Sequence, residues 1–259
     1  KGKMFRLKNN IVNDYKDIQK IKIGKKLYLM DHWLKLLGMY ISDGNIIEDN
    51  MFISCVKDRK VNFCRKFFND LGLDYYYSYD KFKVKSKDIC DHLLLLGKGS
   101  KFKVLPDYVW NLSQRQSRIL LDSLIEGDGH RYDDGFCRFG TINLNLANDV
   151  SKLAFHCGWS GTIKLDSEPG RISHGKRNLG YRKGQEITIE QKNKYYKISI
   201  IKKHNEPWIN KKKNNSNIEE LRKYNGKVYC IEVPESHVFY MRYNDLSPPI
   251  WTGNSNRHG

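Results

Sequence analysis

Ile119-Leu-Leu-Asp-Ser-Leu-Ile-Glu-Gly-Asp-Gly129 reads as the end of an amphipathic helix, and the chain carries a second copy. That copy is Leu34-Lys-Leu-Leu-Gly-Met-Tyr-Ile-Ser-Asp-Gly44, and the two Asp-Gly ends lie 85 residues apart. In each copy small residues stand four apart, Gly38 and Ser42 in the first, Ser123 and Gly127 in the second. Positions i and i+4 share one helix face, so each helix offers a flat strip against which another backbone fits closely. Each helix then ends on an acid, Asp43 or Asp128, where the negative end of the helix dipole makes a carboxylate unfavourable by about 0.3–1 kcal/mol. Packing the strips together brings the two carboxylates close and adds their mutual repulsion. A divalent cation between them relieves both costs, and hard oxygen ligands suit Mg²⁺, which keeps water and phosphate oxygens in its shell.

The segments after the two copies also resemble each other. A polar turn leads to a strand-like run, Met51–Val56 or Phe136–Ile142. An amphipathic helix ending on Gly comes next, from Lys60 to Gly72 and from Leu146 to Gly158. Further strand-like runs are expected at Tyr75–Val84 and Gly161–Leu165. Two such units predict a pseudo-twofold α+β domain over residues 31–205. The Lys/Arg/Asn-rich stretches 171–184 and 202–215 read as loops or solvated edges. After them the pattern becomes short strands, Lys227–Val233 and His237–Arg242, with Pro248-Pro249 before Ile250-Trp-Thr, so the tail reads as a small all-β unit.

Composition narrows the partner. The 259 residues carry 46 Lys+Arg against 29 Asp+Glu, a formal charge of +17, which favours a polyanion and most often nucleic acid. Sixteen Tyr, eleven Phe and five Trp supply a core despite a mean hydropathy of −0.67, which argues against low-complexity disorder. No apolar run approaches the roughly 20 residues of a membrane span, and residues 1–30 lack a signal-peptide pattern. The six cysteines form no CxxC pair, so neither a zinc site nor a disulfide framework is expected, and the chain reads as intracellular and not secreted. A first residue Lys1 and a last segment Arg257-His258-Gly259 predict a fragment of something longer.

Leu36–Gly44 and Leu121–Gly129 resemble the paired motifs of the LAGLIDADG homing endonucleases, of the type found inside inteins. The second copy is close, and the first departs from the pattern at Tyr40-Ile-Ser. The resemblance covers residues 31–205 and implies saddle-shaped antiparallel sheets that lie in the major groove of double-stranded DNA. It implies Mg²⁺ bound by Asp43 and Asp128 at the cleavage centre, acting as one monomeric domain. Lys103, three residues before Pro106 in Gly99-Ser-Lys-Phe-Lys-Val-Leu-Pro, is similar to the family's helper lysine, whose implied role is orienting water or stabilising phosphate charge. In the second repeat Lys192 and Lys194 are the corresponding candidates, and Asp122 and Glu126 are not assigned to the metal.

The tail resembles the C-terminal splicing blocks of inteins, the Hint fold, over residues 206–254. Asn254 has the side-chain amide that can attack its own carbonyl and release the following peptide bond. Ser255 supplies the hydroxyl that accepts the upstream chain, and His237 moves protons. Gly253 and Cys230 stand where the family more often has His and Asp. Residues 1–30 resemble the end of the N-terminal splicing region, with its starting nucleophile and Thr-x-x-His block absent, so the missing N-terminal intein half is an expected partner. Residues 255–259 would then be host protein (the extein), and Arg257-His258-Gly259 is similar to a segment of the RNA polymerase β-type subunit. The competing readings are a catalytically inactive DNA-binding module of the same fold and an RNA-binding intron maturase. The two acids weigh against the first and the intein-like tail against the second.

Overall fold

The computed structural model describes residues 15–133, 135–176, 180, 182–202, 223, 225–227, 238–241 and 250–253. Among them are five α-helices and fourteen strands, and every strand pairing is antiparallel. A hairpin of β1 (Lys20–Ile23) and β2 (Lys26–Leu29) leads straight into helix α1 (Met30–Asp43). Then come β3 (Gly44–Ile47), β4 (Asn50–Ser54), α2 (Asp58–Asp70), β5 (Tyr76–Ser78), β6 (Lys81–Lys85) and α3 (Lys87–Leu94).

The second repeat keeps the same order. It runs α4 (Gln114–Asp128), β7 (Gly129–Arg131), β8 (Cys137–Thr141), α5 (Leu144–His156) and β9 (Ser160–Ser167). A pair of strands, β10 (Ile172–Lys176) and β11 (Glu186–Glu190), intervenes before β12 (Tyr195–Ile201). The two four-stranded sheets have equivalent orders, β3-β4-β6-β5 and β7-β8-β12-β9. The pseudo-twofold α+β expectation is therefore what the main-chain topology shows. In each sheet the edge strand, β3 or β7, begins on the residue after the motif acid.

Alternation along the strands explains why each sheet has a dry face and a wet one. Met51 and Ile53 of β4, Phe82 and Val84 of β6, and Tyr196, Ile198 and Ile200 of β12 are buried against the helices. The residues between them face out, and on β6 these are Lys81, Lys83 and Lys85. Helix α1 is buried nearly all round, because α4 covers one side and the first sheet the other. Trp33, Leu34, Leu37, Leu120, Leu121 and Leu124 are wholly inaccessible to solvent in that seam.

The structure refines the sequence reading in three places. Tyr75–Val84 is not one strand but the hairpin β5–β6, turned at Tyr79 and Asp80, whose φ values are +49° and +61°. Residues 172–176, within the stretch expected to be loop or solvated edge, form β10 and pair with 186–190 in an exposed ladder, so the solvated edge is the alternative that holds there. Helix α3 is an addition to the expected order, and Ser86 caps it by accepting a hydrogen bond from the Ile89 N–H at 3.4 Å. Of the C-terminal tail, β13 (Val238–Met241) pairs with β14 (Ile250–Gly253), with Val238 opposite Gly253. Val228–His237 and Asn254–Gly259 lie outside the described residues, and with them the sequence candidates His237, Asn254 and Ser255.

Candidate functional site

The small-residue strips meet as their spacing implies. A Cβ placed on Gly38 would stand 2.5 Å from Ser123 Cβ, and one on Gly127 would stand 2.3 Å from Ser42 Cβ. Neither distance is tolerable, so glycine is needed at both positions for this approach of α1 to α4. The serines finish the seam from opposite sides. Ser123 Oγ donates to the Lys35 carbonyl at 2.6 Å, and Ser42 Oγ donates to the Leu124 carbonyl at 3.3 Å.

This contact carries the helix ends, and with them the acids, to one place. The same Cβ on Gly127 would lie 3.6 Å from Asp43 Oδ2, so the carboxylate of the first repeat sits beside the last turn of the second helix. Asp128 has its carboxyl pushed up to about 6, first by the protein that displaces water around it and then by the negative charge of Asp43. The residue nevertheless keeps an exposed side. That open side borders a shallow hollow of about 230 Å³ on the outer face of the second sheet, where Tyr132, Arg138, Tyr195 and Lys197 also stand.

Two basic side chains, Lys60 and Lys103, stand by the acids, and they are held differently. Lys60, in the first turn of α2, places Nζ 2.6 Å from Asp43 Oδ2. Its neighbour Arg59 crosses to the second repeat and binds Glu126 Oε2 at 2.9 Å, leaving Glu126 Oε1 buried with no hydrogen-bond partner. Lys103 is buried, with 2% of its surface exposed, and its ammonium caps the end of α1. It donates to the carbonyls of Tyr40 at 2.6 Å, Ile41 at 3.2 Å and Gly44 at 2.6 Å. An ammonium has three donors, so all are engaged. Burial lowers its pKa to about 8, and the charges of Asp128 and Asp43 act in the opposite direction.

The second-repeat candidates do not reach this place. Lys192 is exposed, and Lys194 stands 4.0 Å from Glu168. The basic groups that border the hollow with Asp128 are instead Arg138, bonded to the Tyr132 hydroxyl at 2.9 Å, and Lys197, bonded to Asp166 at 3.0 Å. Asp122 turns to Arg131 at 3.1 Å. Sequence reasoning missed Lys60 and Arg59. In a chain with 46 Lys+Arg nothing marks these two apart, and only the packing of α2 brings Lys60 to Asp43 and Arg59 to Glu126.

A cation has a suitable but incomplete donor set here. Among the described residues no three His, Cys, Asp or Glu side chains converge on one point. Two carboxylates near enough to perturb each other, at an opening lined by basic groups, fit a hard cation whose remaining ligands are water and phosphate oxygens.

No family model matches this chain. A DNA-directed RNA polymerase subunit beta C-terminal section from Stigeoclonium helveticum is 29% identical over 284 residues, covering 92% of this chain and 25% of that protein. An ATP-dependent Clp protease proteolytic subunit from Chlamydomonas moewusii is 31% identical over 159 residues, covering 55% of this chain and 16% of that protein. The chain thus spans a quarter or less of the curated relatives it matches. Among solved structures, mesophilic variants of the homing endonuclease I-DmoI align with 66% of this chain and 88% of theirs, at a TM-score of 0.41 and 15% identity. I-DmoI in complex with DNA and Ca aligns at 0.42 and 14%, covering 66% of this chain and 83% of that one. The N-terminal LAGLIDADG domain of DUF199/WhiA aligns at 0.37 and 11%, over 62% and 75%.

Proposed function

We propose that this chain is a LAGLIDADG-type DNA endonuclease carried within a protein-splicing intein, cutting both strands of a long duplex site. The observation that carries the reading is the seam of α1 and α4, which sets Asp43 and Asp128 side by side where each helix passes into the edge strand of a sheet. Keeping two like charges together is costly, and a site for a divalent cation gives that cost a purpose. The outer sheet faces supply the electrostatics: Lys81, Lys83 and Lys85 project from β6, and Arg138 and Lys197 flank Asp128. Duplex phosphates meet a surface of complementary charge, and the pleated strands present alternate side chains to a groove.

Asp43 and Asp128 would hold Mg²⁺, which supplies charge neutralisation at the scissile phosphate and an acidified water as nucleophile. The remaining work falls to the chain. Lys103 fixes the carbonyls that end α1 and so the direction in which Asp43 leaves the helix, and its charge lies beneath both acids. Arg138 and Lys197 orient phosphates beside Asp128.

The splicing part of the reading rests on other observations. The two curated relatives bear the names of unrelated proteins, a polymerase subunit and a protease subunit, as expected where a portable segment has entered different hosts. The β13–β14 ladder pairs Val238 with Gly253, the covalent neighbours of His237 and Asn254. In this reading Asn254 cyclises, Ser255 receives the upstream segment and the host is a β-type polymerase subunit.

Supercoiled plasmid bearing the uninterrupted host gene, incubated with this chain and Mg²⁺, tests the nuclease. A linear product with a single pair of ends is expected. Plasmid that stays supercoiled at protein concentrations that saturate binding would leave a DNA-binding module in place of the enzyme.

A further inference from the structure

Asp43 already has a cation, and that cation belongs to the chain. The Lys60–Asp43 contact at 2.6 Å is not a loose surface pair, since the two side chains are only 13% and 22% exposed. Lys60 is delivered to this place by a rigid support. Val61, Cys64, Phe67 and Phe68 root α2 in the core, and Arg59 ties the same turn to Glu126 across the repeat boundary. The contrast with Lys103 is informative. Lys103 is committed to three backbone carbonyls whatever occupies the site, whereas Lys60 gives its ammonium to the carboxylate oxygen that a cation would take.

We propose that Lys60 is a tethered competitor for the divalent cation, neutralising Asp43 in the metal-free protein and setting how weakly the site loads. The proposal rests on the reading of Asp43 and Asp128 as the cation's ligands. A divalent ion at Asp43 must either displace the ammonium or share the carboxylate with it. In both cases the repulsion between the two cations, at an effective dielectric well below that of water, subtracts from binding. The benefit is to the metal-free state: two carboxylates at the ends of packed helices are held with one of them already balanced. Lys60 is thus a positioning residue, acting on the reaction through Asp43.

Mn²⁺ alone, titrated into the metal-free full chain and followed by loss of the free-ion paramagnetic signal, reads the affinity without any cleavage. Lys60→Met is expected to bind Mn²⁺ on the order of tenfold more tightly than wild type. Lys60→Arg, which keeps the charge, is expected to stay within about twofold of wild type. Should Lys60→Met melt at the titration temperature, Lys60→Gln removes the charge while keeping a hydrogen-bond donor, and the same tightening is expected. Unchanged or weaker Mn²⁺ binding in folded Lys60→Met or Lys60→Gln, beside a wild type that binds, overturns the competitor role and leaves the ligand assignment standing. If wild type and Asp43→Asn, Asp128→Asn take up Mn²⁺ alike, the ligand assignment itself is wrong and the competitor role falls with it.

Discussion

Lys103 and Tyr40 are joined twice: the ammonium donates to the Tyr40 carbonyl at 2.6 Å and also stands 4.5 Å from the centre of its ring. A lysine 59 residues beyond Gly44 thereby terminates the first motif helix, in place of the side-chain caps that α3, α4 and α5 carry at their beginnings.

Lys103→Met is therefore expected to destabilise the fold by roughly 2–4 kcal/mol, because three carbonyls at the end of α1 lose a buried charged donor. The pH dependence has a definite sign. A lysine with its pKa lowered from 10.5 to about 8 binds fewer protons folded than unfolded between those values, so its contribution to stability rises with pH across that window. Urea melts of wild type and Lys103→Met from pH 7 to 10.5 should show their difference growing above pH 8, and a flat difference would contradict the burial argument.

Asp128 shifts the other way. A carboxyl raised from 3.8 to about 6 binds more protons folded than unfolded in that interval, so its ionisation opposes folding fully above about pH 6 and not at all below 3.8. Discounted for the exposed side of the residue, the cost at pH 7 is about 1 kcal/mol. Asp128→Asn should hence melt higher than wild type at pH 7, lose that advantage by pH 4, cut no plasmid and still bind duplex DNA.

Gly38→Val is expected to cost roughly 1–3 kcal/mol or more, since its side chain enters Ser123 and parts the two motif helices. Combining it with Ser123→Gly should recover part of the loss, because the obstructing Cβ is removed. Thermal melts of the single and double variants decide this, and additive losses would mean the helices relax elsewhere.

Gln116 clasps both backbone groups of Ile18: its Oε1 accepts from the N–H at 2.9 Å, and its Nε2 donates to the carbonyl at 2.7 Å. Arg115 secures the same segment through Asp17 at 2.8 Å and Asp31 at 2.9 Å, and Ser113 donates to Asp17. Gln116→Leu should lower stability by about 1–3 kcal/mol. Amide exchange at Ile18 should accelerate far more than that at Ile198, which lies in the centre of the second sheet.

For splicing, Asn254→Ala should halt ligation with the bond before Ser255 intact when the N-terminal splicing half and an upstream host segment are supplied. Mass spectrometry of the products is the measurement. Release of Ser255–Gly259 from that variant at the wild-type rate would remove the tail from the splicing reading.

The duplicated order of helix, strand and helix, the strips Gly38/Ser42 and Ser123/Gly127, and the identity of the acids at the helix ends are all legible in the chain without its coordinates, whereas the edge strands β3 and β7 fall where the sequence reads as a polar turn. These are local or periodic properties: a helix face is written every three to four residues, and a missing Cβ can be read without knowing what approaches it. Sequence alone misplaced the features that depend on the third dimension or on solvent. The β5–β6 turn at Tyr79-Asp80 lacks glycine and so hides in a strand-like run, and in the exposed β10–β11 ladder only Ile187 and Ile189 of β11 alternate, while β10 reads Ile-Ser-His-Gly-Lys with no apolar spacing. Lys103 was legible as a basic residue upstream of the second helix, but its carbonyl partners, two on α1 and one on the first residue of β3, were not. Lys60 was invisible among the other basic residues until α2 packed against the first sheet. Which charges meet is decided by tertiary packing, because a Coulomb interaction depends on distance in space and carries no period along the chain.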